Sequence, residues 1–129
     1  MARLLIVDDN APLRELLRAA LSEDFLDRHD VTLAADGAAA LAMLDVEEFD
    51  LLLTNVGMPV MDGIELADRV RAQQPRLPVL LVTGRPIEHL PPRWRPNYIA
   101  KPFHLLRLSE AIAAAAAGLG TSPLTEDAS

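Results

Sequence analysis

Short apolar runs recur along the chain at the spacing of a strand-and-helix alternation. The runs of strand length are residues 4–7, 31–34, 51–53, 79–82 and 98–100. Runs this short and this uniformly apolar are typical of strands covered on both faces, as in a parallel sheet. The sequence therefore predicts five buried parallel strands.

Helical spacing fills the segments between these runs. One apolar stripe has steps of three and four residues and consists of Leu13, Leu16, Leu17, Ala20 and Leu21. Such a stripe is typical of a helix that packs one face on a core. Segments 38–44 and 64–70 repeat the spacing, and 105–117 is rich in strong helix formers.

This alternation predicts an α/β fold: a doubly wound, five-stranded parallel sheet with right-handed crossovers and helices on both faces. The fourth helix is the exception, because prolines at 86, 91 and 92 leave room for about one turn. We expect a short helix there, followed by an extended, proline-stiffened loop. Residues 1–117 form one domain, and 118–129 lack periodicity and are expected to be a disordered tail.

The composition restricts the class of protein. A chain of 129 residues, half of them hydrophobic, is long enough for one domain with a real core. The absence of cysteine excludes a disulfide scaffold and fits a reducing compartment. The apolar run at residues 4–7 is too short for a leader, so we expect none, and no apolar run approaches the roughly 20 residues of a membrane helix. We expect a cytoplasmic protein with no membrane association.

Charge is distributed unevenly along the chain. The net charge of −7 disfavours non-specific nucleic-acid binding, which relies on clustered lysine and arginine. Residues 1–75 hold fifteen acidic and six basic side chains, whereas residues 76–108 hold one acidic and six basic side chains. The basic stretch is either a solvated face or a surface that docks an acidic partner.

Polar side chains follow four of the five predicted strands. Asp8 and Asp9 follow the first strand and Asn55 the third, while Thr83 and Lys101 follow the fourth and fifth. Each alone has an ordinary explanation as a helix cap, a β-former or a surface residue. The carboxyl ends of parallel strands share one edge of the sheet, where ligand chemistry gathers. We therefore expect these side chains to meet in one small site.

The segments around these residues resemble the receiver domains of two-component signalling, from about residue 3 to residue 116. The matching segments are Leu-Ile-Val-Asp-Asp at 5–9, Asp-Gly-Ala-Ala-Ala-Leu at 36–41, Asp-Leu-Leu-Leu-Thr-Asn at 50–55, Met-Pro-Val-Met-Asp-Gly at 58–63, Val-Thr-Gly at 82–84 and Lys-Pro-Phe at 101–103. The Lys-Pro-Phe-His-Leu segment resembles in particular the stand-alone, CpdR-like receivers. The resemblance implies a CheY-like fold and a bacterial, single-domain response regulator that acts in phosphorelay signal transduction and is not a turnover enzyme.

The resemblance also implies roles for single residues. Thr83 corresponds to the hydroxyl that captures a phosphoryl oxygen and moves inward on activation. Lys101 corresponds to the ammonium that pairs first with the acidic cluster and then with the phosphoryl group. Tyr98 corresponds to the aromatic side chain whose rotamer reports the state, so that Thr83 and Tyr98 are the expected switch residues.

Asn55 occupies the position at which the family carries its phosphoryl-accepting aspartate. A carboxamide is neutral and its nitrogen is delocalised, so no acyl phosphate is expected to form there. Asp8, Asp9 and the Gly57 carbonyl correspond to the family's Mg²⁺ ligands, together with the residue at 55. Because one of three carboxylates has become a neutral amide, we expect Mg²⁺ binding to be weakened.

Two explanations of Asn55 stay open at this point. The asparagine is either native, in a pseudo-receiver that signals by binding alone, or an engineered replacement of aspartate that locks the unphosphorylated state. Retention of Asp8, Asp9, Thr83 and Lys101 favours the engineered form, because a protein that had long lost the chemistry would have less reason to keep them.

The resemblance implies a sensor histidine kinase or phosphotransfer protein as one partner, and an unidentified output protein as another. Output surfaces in the family use the fourth helix, fifth strand and last helix, which here include Arg85, Arg93, Trp94 and Arg95. Trp94 is either a partner anchor or a loop aromatic folded over the shortened helix. Because the fourth helix is short, we expect a monomer or a weak dimer.

Two other classes of function share this topology. A flavin-binding module would hold a phosphate in the loop after the first strand, but Asp8 and Asp9 would repel it. A Mg²⁺-dependent phosphoryl-transfer enzyme is compatible with paired carboxylates and a lysine. The chain leaves little room, however, for a substrate pocket or a lid.

Overall fold

The computed structural model describes residues 2–22 and 29–118. The strands are β1 (Arg3–Val7), β2 (Asp30–Ala34), β3 (Leu51–Asn55), β4 (Val79–Thr83) and β5 (Tyr98–Ala100). The α-helices are α1 (Ala11–Ser22), α2 (Gly37–Val46), α3 (Gly63–Gln73) and α4 (Leu105–Ala116). The tail predicted for 118–129 lies outside the described residues, except for Gly118.

The five strands form one parallel sheet in the order β2-β1-β3-β4-β5. The predicted doubly wound sheet is therefore confirmed. The strand order reverses between β1 and β3, and in such sheets the crevice at this point is where ligands bind.

Successive strand residues enter two different cores, one on each face of the sheet. Leu5 and Leu52 face the core that contains α2 and α3, while Leu4 and Leu53 face the core that contains α1 and α4. Side chains alternate between the two faces of a strand, so a strand buried on both faces must be apolar throughout. This explains why the strand segments show no polar alternation.

The segment between β4 and β5 contains two 3₁₀ helices, Ile87–His89 and Pro92–Asn97. The first confirms the expected short helix of one turn. The expectation of an extended loop after it is wrong, because the second 3₁₀ helix occupies that stretch. Pro92 lies at the start of this helix, where a backbone N–H would have no partner within the helix, so proline is tolerated. The backbone N–H of Trp94 donates to the Pro91 carbonyl at 2.9 Å.

Gly63 allows α3 to begin directly against the end of β3. Its N–H donates to the Val56 carbonyl at 2.8 Å. A Cβ atom at position 63 would overlap the backbone of Asn55 and Val56. The first residue of α3 is thus fixed against the last residue of β3, which carries the polar side chain of interest.

We expect Gly63→Ala to lower the free energy of unfolding by about 2 kcal/mol, because backbone atoms must shift to admit the methyl group. Gly57→Ala is the matched control, since a Cβ atom at position 57 has no heavy atom within 4 Å. Urea unfolding followed by circular dichroism measures both. Equal unfolding midpoints for the two variants would contradict the close packing of α3 on β3.

Candidate functional site

The polar residues predicted from the strand ends meet at the carboxyl edge of the sheet. Asp8 follows β1 and is buried, with 4% of its surface exposed, while Asp9 beside it is exposed. Asn55 and Thr83 are the last residues of β3 and β4, and Lys101 follows β5 directly. The four strands β1, β3, β4 and β5 lie next to one another in the sheet, and β2 lies outside them, beside β1.

The Asn55 carboxamide lies at the centre of this site and bridges two loops. The Lys101 ammonium donates to Asn55 Oδ1 at 3.0 Å. Asn55 Nδ2 in turn donates to the backbone carbonyl of Gly57 at 2.9 Å. One side chain therefore connects the end of β3 with the loop that follows it and with the end of β5.

Burial raises the pKa of the Asp8 carboxyl above its usual value. The backbone N–H of Asn10, which donates to Asp8 Oδ1 at 2.9 Å, and the positive charge of Lys101 both lower this pKa, whereas the charge of Asp9 raises it further. A buried carboxylate is costly unless it is paired. The Lys101 ammonium therefore offsets part of the cost of placing Asp8 here.

The loop after β1 is shaped by local hydrogen bonds as well as by charge. The side chain of Asn10 accepts from the Leu13 N–H at 3.0 Å and so caps the start of α1. The Arg14 guanidinium reaches back to the Asp8 carbonyl at 2.7 Å. These two contacts fix α1 relative to the acidic pair.

Thr83 and Tyr98, the expected switch residues, are both buried. The Thr83 hydroxyl accepts from the Arg85 N–H at 3.0 Å, and its backbone carbonyl accepts from the Lys101 N–H at 2.8 Å. Tyr98 packs in the core shared with α2 and α3. Their role as a switch stays a prediction.

The oxygen ligands for a divalent cation at this site are incomplete. Across residues 2–22 and 29–118, no three histidine, cysteine, aspartate or glutamate side chains gather closely enough to hold a metal ion. The Gly57 carbonyl already accepts from Asn55, and the Asn55 oxygen accepts from Lys101. Mg²⁺ prefers near-octahedral oxygen coordination. These residues fit it poorly, because they supply two carboxylates and a carboxamide whose nitrogen, not its oxygen, faces the Gly57 carbonyl.

The response regulator receiver domain family matches this chain over residues 4–113. The chain belongs to that family. It is 38% identical to the response regulator receiver protein CpdR of Brucella abortus over 109 residues, which cover 81% of this chain and 88% of CpdR. It is 35% identical to the response regulator FleR of Pseudomonas aeruginosa over 131 residues, covering 98% of this chain but only 26% of FleR. The chain thus spans about a quarter of the longer relative.

Solved receiver structures have the same fold. The response regulator TrrA of Thermotoga maritima, in complex with Mg²⁺-BeF, is 26% identical, with a TM-score of 0.79 over 89% of this chain and 99% of TrrA. TrrA in complex with the histidine kinase ThkA superposes with a TM-score of 0.78 at the same identity, over 89% of this chain and 98% of TrrA. The receiver domain described above is therefore a CheY-like fold by topology and by superposition.

Trp94 of this receiver domain belongs to the core, so its assignment to an exposed partner surface is wrong. Its side chain is 0% exposed, and its Nε1 donates to Asp68 of α3 at 2.7 Å. The Arg71 guanidinium stacks on the indole ring, 3.6 Å from its centroid. The alternative of an aromatic folded back over the shortened helix is confirmed.

Arg93 is also engaged within the domain. Its guanidinium binds both carboxylate oxygens of Asp68, at 2.9 Å and 2.6 Å. Arg95 is half-buried and donates to the Leu90 carbonyl at 3.0 Å, whereas Arg85 is exposed.

We call Asp68, Arg71, Arg93 and Trp94 the Asp68 cluster. Sequence reasoning missed Asp68 and Arg71, because nothing in the pattern of α3 indicates partners about 25 residues away.

No helix in the described parts of the chain is long and apolar enough to cross a membrane.

We expect Asp68→Ala to lower the free energy of unfolding by about 1–3 kcal/mol, because it leaves the buried Trp94 N–H without an acceptor. Asp68→Asn is the matched control: its amide oxygen can still accept from Trp94, so the loss should be smaller. Trp94 is the single tryptophan, and its fluorescence reports the change directly. An Asp68→Ala variant as stable as the unchanged chain would contradict this role.

The same carboxylate contributes to acid stability. The hydrogen bond from Arg93 holds the pKa of Asp68 below its usual value. Its stabilising contribution is therefore complete above the unfolded pKa of about 3.9 and is lost as pH falls through the lower folded pKa. Asp68→Asn should remove this part of the acid sensitivity of the unfolding midpoint.

Proposed function

We propose that this receiver domain is a cytoplasmic phosphorelay signalling module that acts by protein–protein binding and does not accept a phosphoryl group at residue 55. The observation that supports this is the position of Asn55 at the end of β3, bonded to Lys101 where the family has its acceptor aspartate. Phosphoryl transfer to the protein requires a nucleophilic oxygen, and the carboxamide oxygen is a poor one. This follows whether the asparagine is native or introduced.

Weak binding of Mg²⁺ is part of the same proposal. The site keeps Asp8 and Asp9 but has a neutral residue at 55. A divalent cation is held by the number and charge of its oxygen ligands, so one carboxylate fewer lowers the affinity. The presence of Mg²⁺-BeF in the TrrA structure supports a cation-binding role for the acidic pair in this fold.

We expect the unchanged chain to take up no phosphoryl group from acetyl phosphate in the presence of Mg²⁺, and Asn55→Asp to gain one at residue 55. Intact-mass spectrometry and peptide mapping measure both, and Asn55→Ala is the control for modification elsewhere. A phosphoryl group mapped to residue 55 of the unchanged chain, with deamidation excluded from the peptide mass, would refute the proposal.

The upstream partner is proposed to be a histidine kinase or a phosphotransfer protein, as the complex of TrrA with ThkA supports. An apolar groove of about 480 Å³ lies next to the site and is lined by Leu13, Leu16, Leu17, Lys101, Pro102, Phe103 and Leu105. Its position between α1 and the start of α4 makes it a suitable docking surface for an apolar face of such a partner.

The output surface is proposed to lie on the segment between β4 and β5. Arg93 and Trp94 are committed to the Asp68 cluster, so Arg85 and the accessible part of Arg95 remain for an acidic partner. The 3₁₀ helices replace the longer helix that would support self-association on this face. We accordingly propose a monomer or a weak dimer.

We expect Arg85→Glu to weaken binding of output proteins while the unfolding midpoint stays unchanged, because Arg85 is exposed. Arg76→Glu is the matched control: it makes the same charge change on an exposed residue at the opposite end of β4. Quantitative mass spectrometry of proteins co-purified from the native host compares the two. A partner set that Arg85→Glu leaves intact would count against this surface.

A further inference from the structure

We infer that the Asn55 carboxamide stands in for the divalent cation of this site, so that the surrounding loops keep one arrangement with no metal bound. The inference rests on the proposed function, in which residue 55 occupies the phosphoryl-accepting position of the receiver site. The inference concerns more than the loss of one negative charge. The amide hydrogen-bonds the Gly57 carbonyl, one of the expected ligands of the cation, and holds the loops of the site together as a bound cation would.

The orientation of the amide is determined by its two neighbours. A carboxamide has one accepting end and one donating end. The Lys101 ammonium can only donate and the Gly57 carbonyl can only accept, so Oδ1 must face the former and Nδ2 the latter. In the flipped amide, the Asn55 N–H groups would face the Lys101 ammonium, and the Asn55 oxygen would face the Gly57 carbonyl oxygen. Asn55 therefore presents N–H groups, and no lone pair, to the loop that carries Gly57.

This orientation opposes a cation in two ways. The Gly57 carbonyl, which would be a ligand of the cation, accepts the Asn55 N–H, and a cation at this carbonyl would face that positively polarised group. An oxygen of residue 55 would face the Gly57 carbonyl only if the amide turned its nitrogen towards the Lys101 ammonium. A carboxylate at 55 has neither restriction, because one oxygen can accept from Lys101 while the other binds the cation.

The amide also reduces the charge that a cation would otherwise neutralise. With aspartate at 55, three carboxylates would face the single Lys101 ammonium, and like charges at this distance repel. With asparagine, the Asp8 and Asp9 carboxylates remain near Lys101, which leaves one negative charge fewer to neutralise. The site is therefore closer to electrostatic balance without a metal.

The bridge extends to the elements around the site. Gly63 fixes the start of α3 against the backbone of Asn55, so the loop between β3 and α3 is held at both ends. Through Lys101, the same side chain holds the end of β5. The Asn55 amide thus positions the three segments β3, the β3–α3 loop and the β5–α4 loop.

The test compares the unchanged chain with Asn55→Asp and Asn55→Ala in EDTA and in Mg²⁺ at the concentration that saturates Asn55→Asp. The unchanged chain should have the same unfolding midpoint and Trp94 fluorescence in both conditions. Asn55→Asp should be less stable than the unchanged chain in EDTA and should be stabilised by Mg²⁺. A midpoint of the unchanged chain that rises with Mg²⁺ would overturn the inference.

Asn55→Ala separates the hydrogen-bond bridge from the lost charge, because it has the same net charge as the unchanged chain but frees the Gly57 carbonyl. We expect Mg²⁺ to bind this variant about threefold to tenfold more tightly than the unchanged chain, the factor that one ordinary hydrogen bond corresponds to. Calorimetric titration with MgCl₂ measures it. Equal or weaker binding by Asn55→Ala would show that charge alone explains the weak affinity, and the inference would fail.

Two-dimensional NMR of the unchanged chain gives a measurement that does not depend on the variants folding. The Asn55 side-chain NH₂ should have the chemical shifts of a hydrogen-bonded amide, and its signals should not move at the Mg²⁺ concentration that saturates Asn55→Asp. Shifts of a freely solvated amide, or a change at that Mg²⁺ concentration, would contradict the bridge. Failure of the proposed function appears separately, as a phosphoryl group mapped to residue 55.

Discussion

The two hydrogen bonds of the Asn55 carboxamide are the interaction on which the arrangement of the site depends. The sheet is apolar on both faces, so its polar side chains are concentrated where the strands end. The Asp8 carboxylate and the Thr83 hydroxyl are buried there and require partners within the protein, because burial without a partner is costly. The half-buried Asn55 adds a bridge beside them, because its oxygen accepts from the Lys101 ammonium and its nitrogen donates to the Gly57 carbonyl. The ends of β3 and β5 and the loop between β3 and α3 are held together as a result.

Features that follow from periodicity or from shared strand ends could be predicted from the sequence. Runs such as 4–7 and 79–82 are apolar throughout, which is a requirement of strands buried on both faces, and the parallel sheet follows from the helices between them. The meeting of Asp8, Asn55 and Lys101 follows in turn, because parallel strands end at one edge. The Asp68 cluster could not be predicted, since a carboxylate on α3 pairs with residues 25 and 26 positions later, and helical spacing carries no signal of that.

The Asp68 cluster fixes the segment between β4 and β5 against α3. Its prolines limit it to two 3₁₀ helices, which have few internal hydrogen bonds and would be weakly ordered alone. Asp68 compensates by binding the Trp94 N–H and the Arg93 guanidinium, and Arg71 covers the indole ring. The segment between β4 and β5, which we propose as the output surface, is therefore fixed on α3. A fixed face and a site held by an internal bridge are consistent with a module whose binding surface is ready without phosphorylation.

The structure also supplies a reason for keeping Asp8 and Lys101 in a chain that is proposed to accept no phosphoryl group. The carboxylate of Asp8 is buried, and the charge of Lys101 lowers its raised pKa. Loss of Lys101 would leave that carboxylate without its cation, and loss of Asp8 would leave a half-buried ammonium facing a neutral amide. Asp8 also accepts the Asn10 N–H, at the residue that caps α1. Charge compensation between Asp8 and Lys101 thus gives these two side chains a role that does not need phosphorylation, so their retention does not distinguish a native asparagine at position 55 from an introduced one.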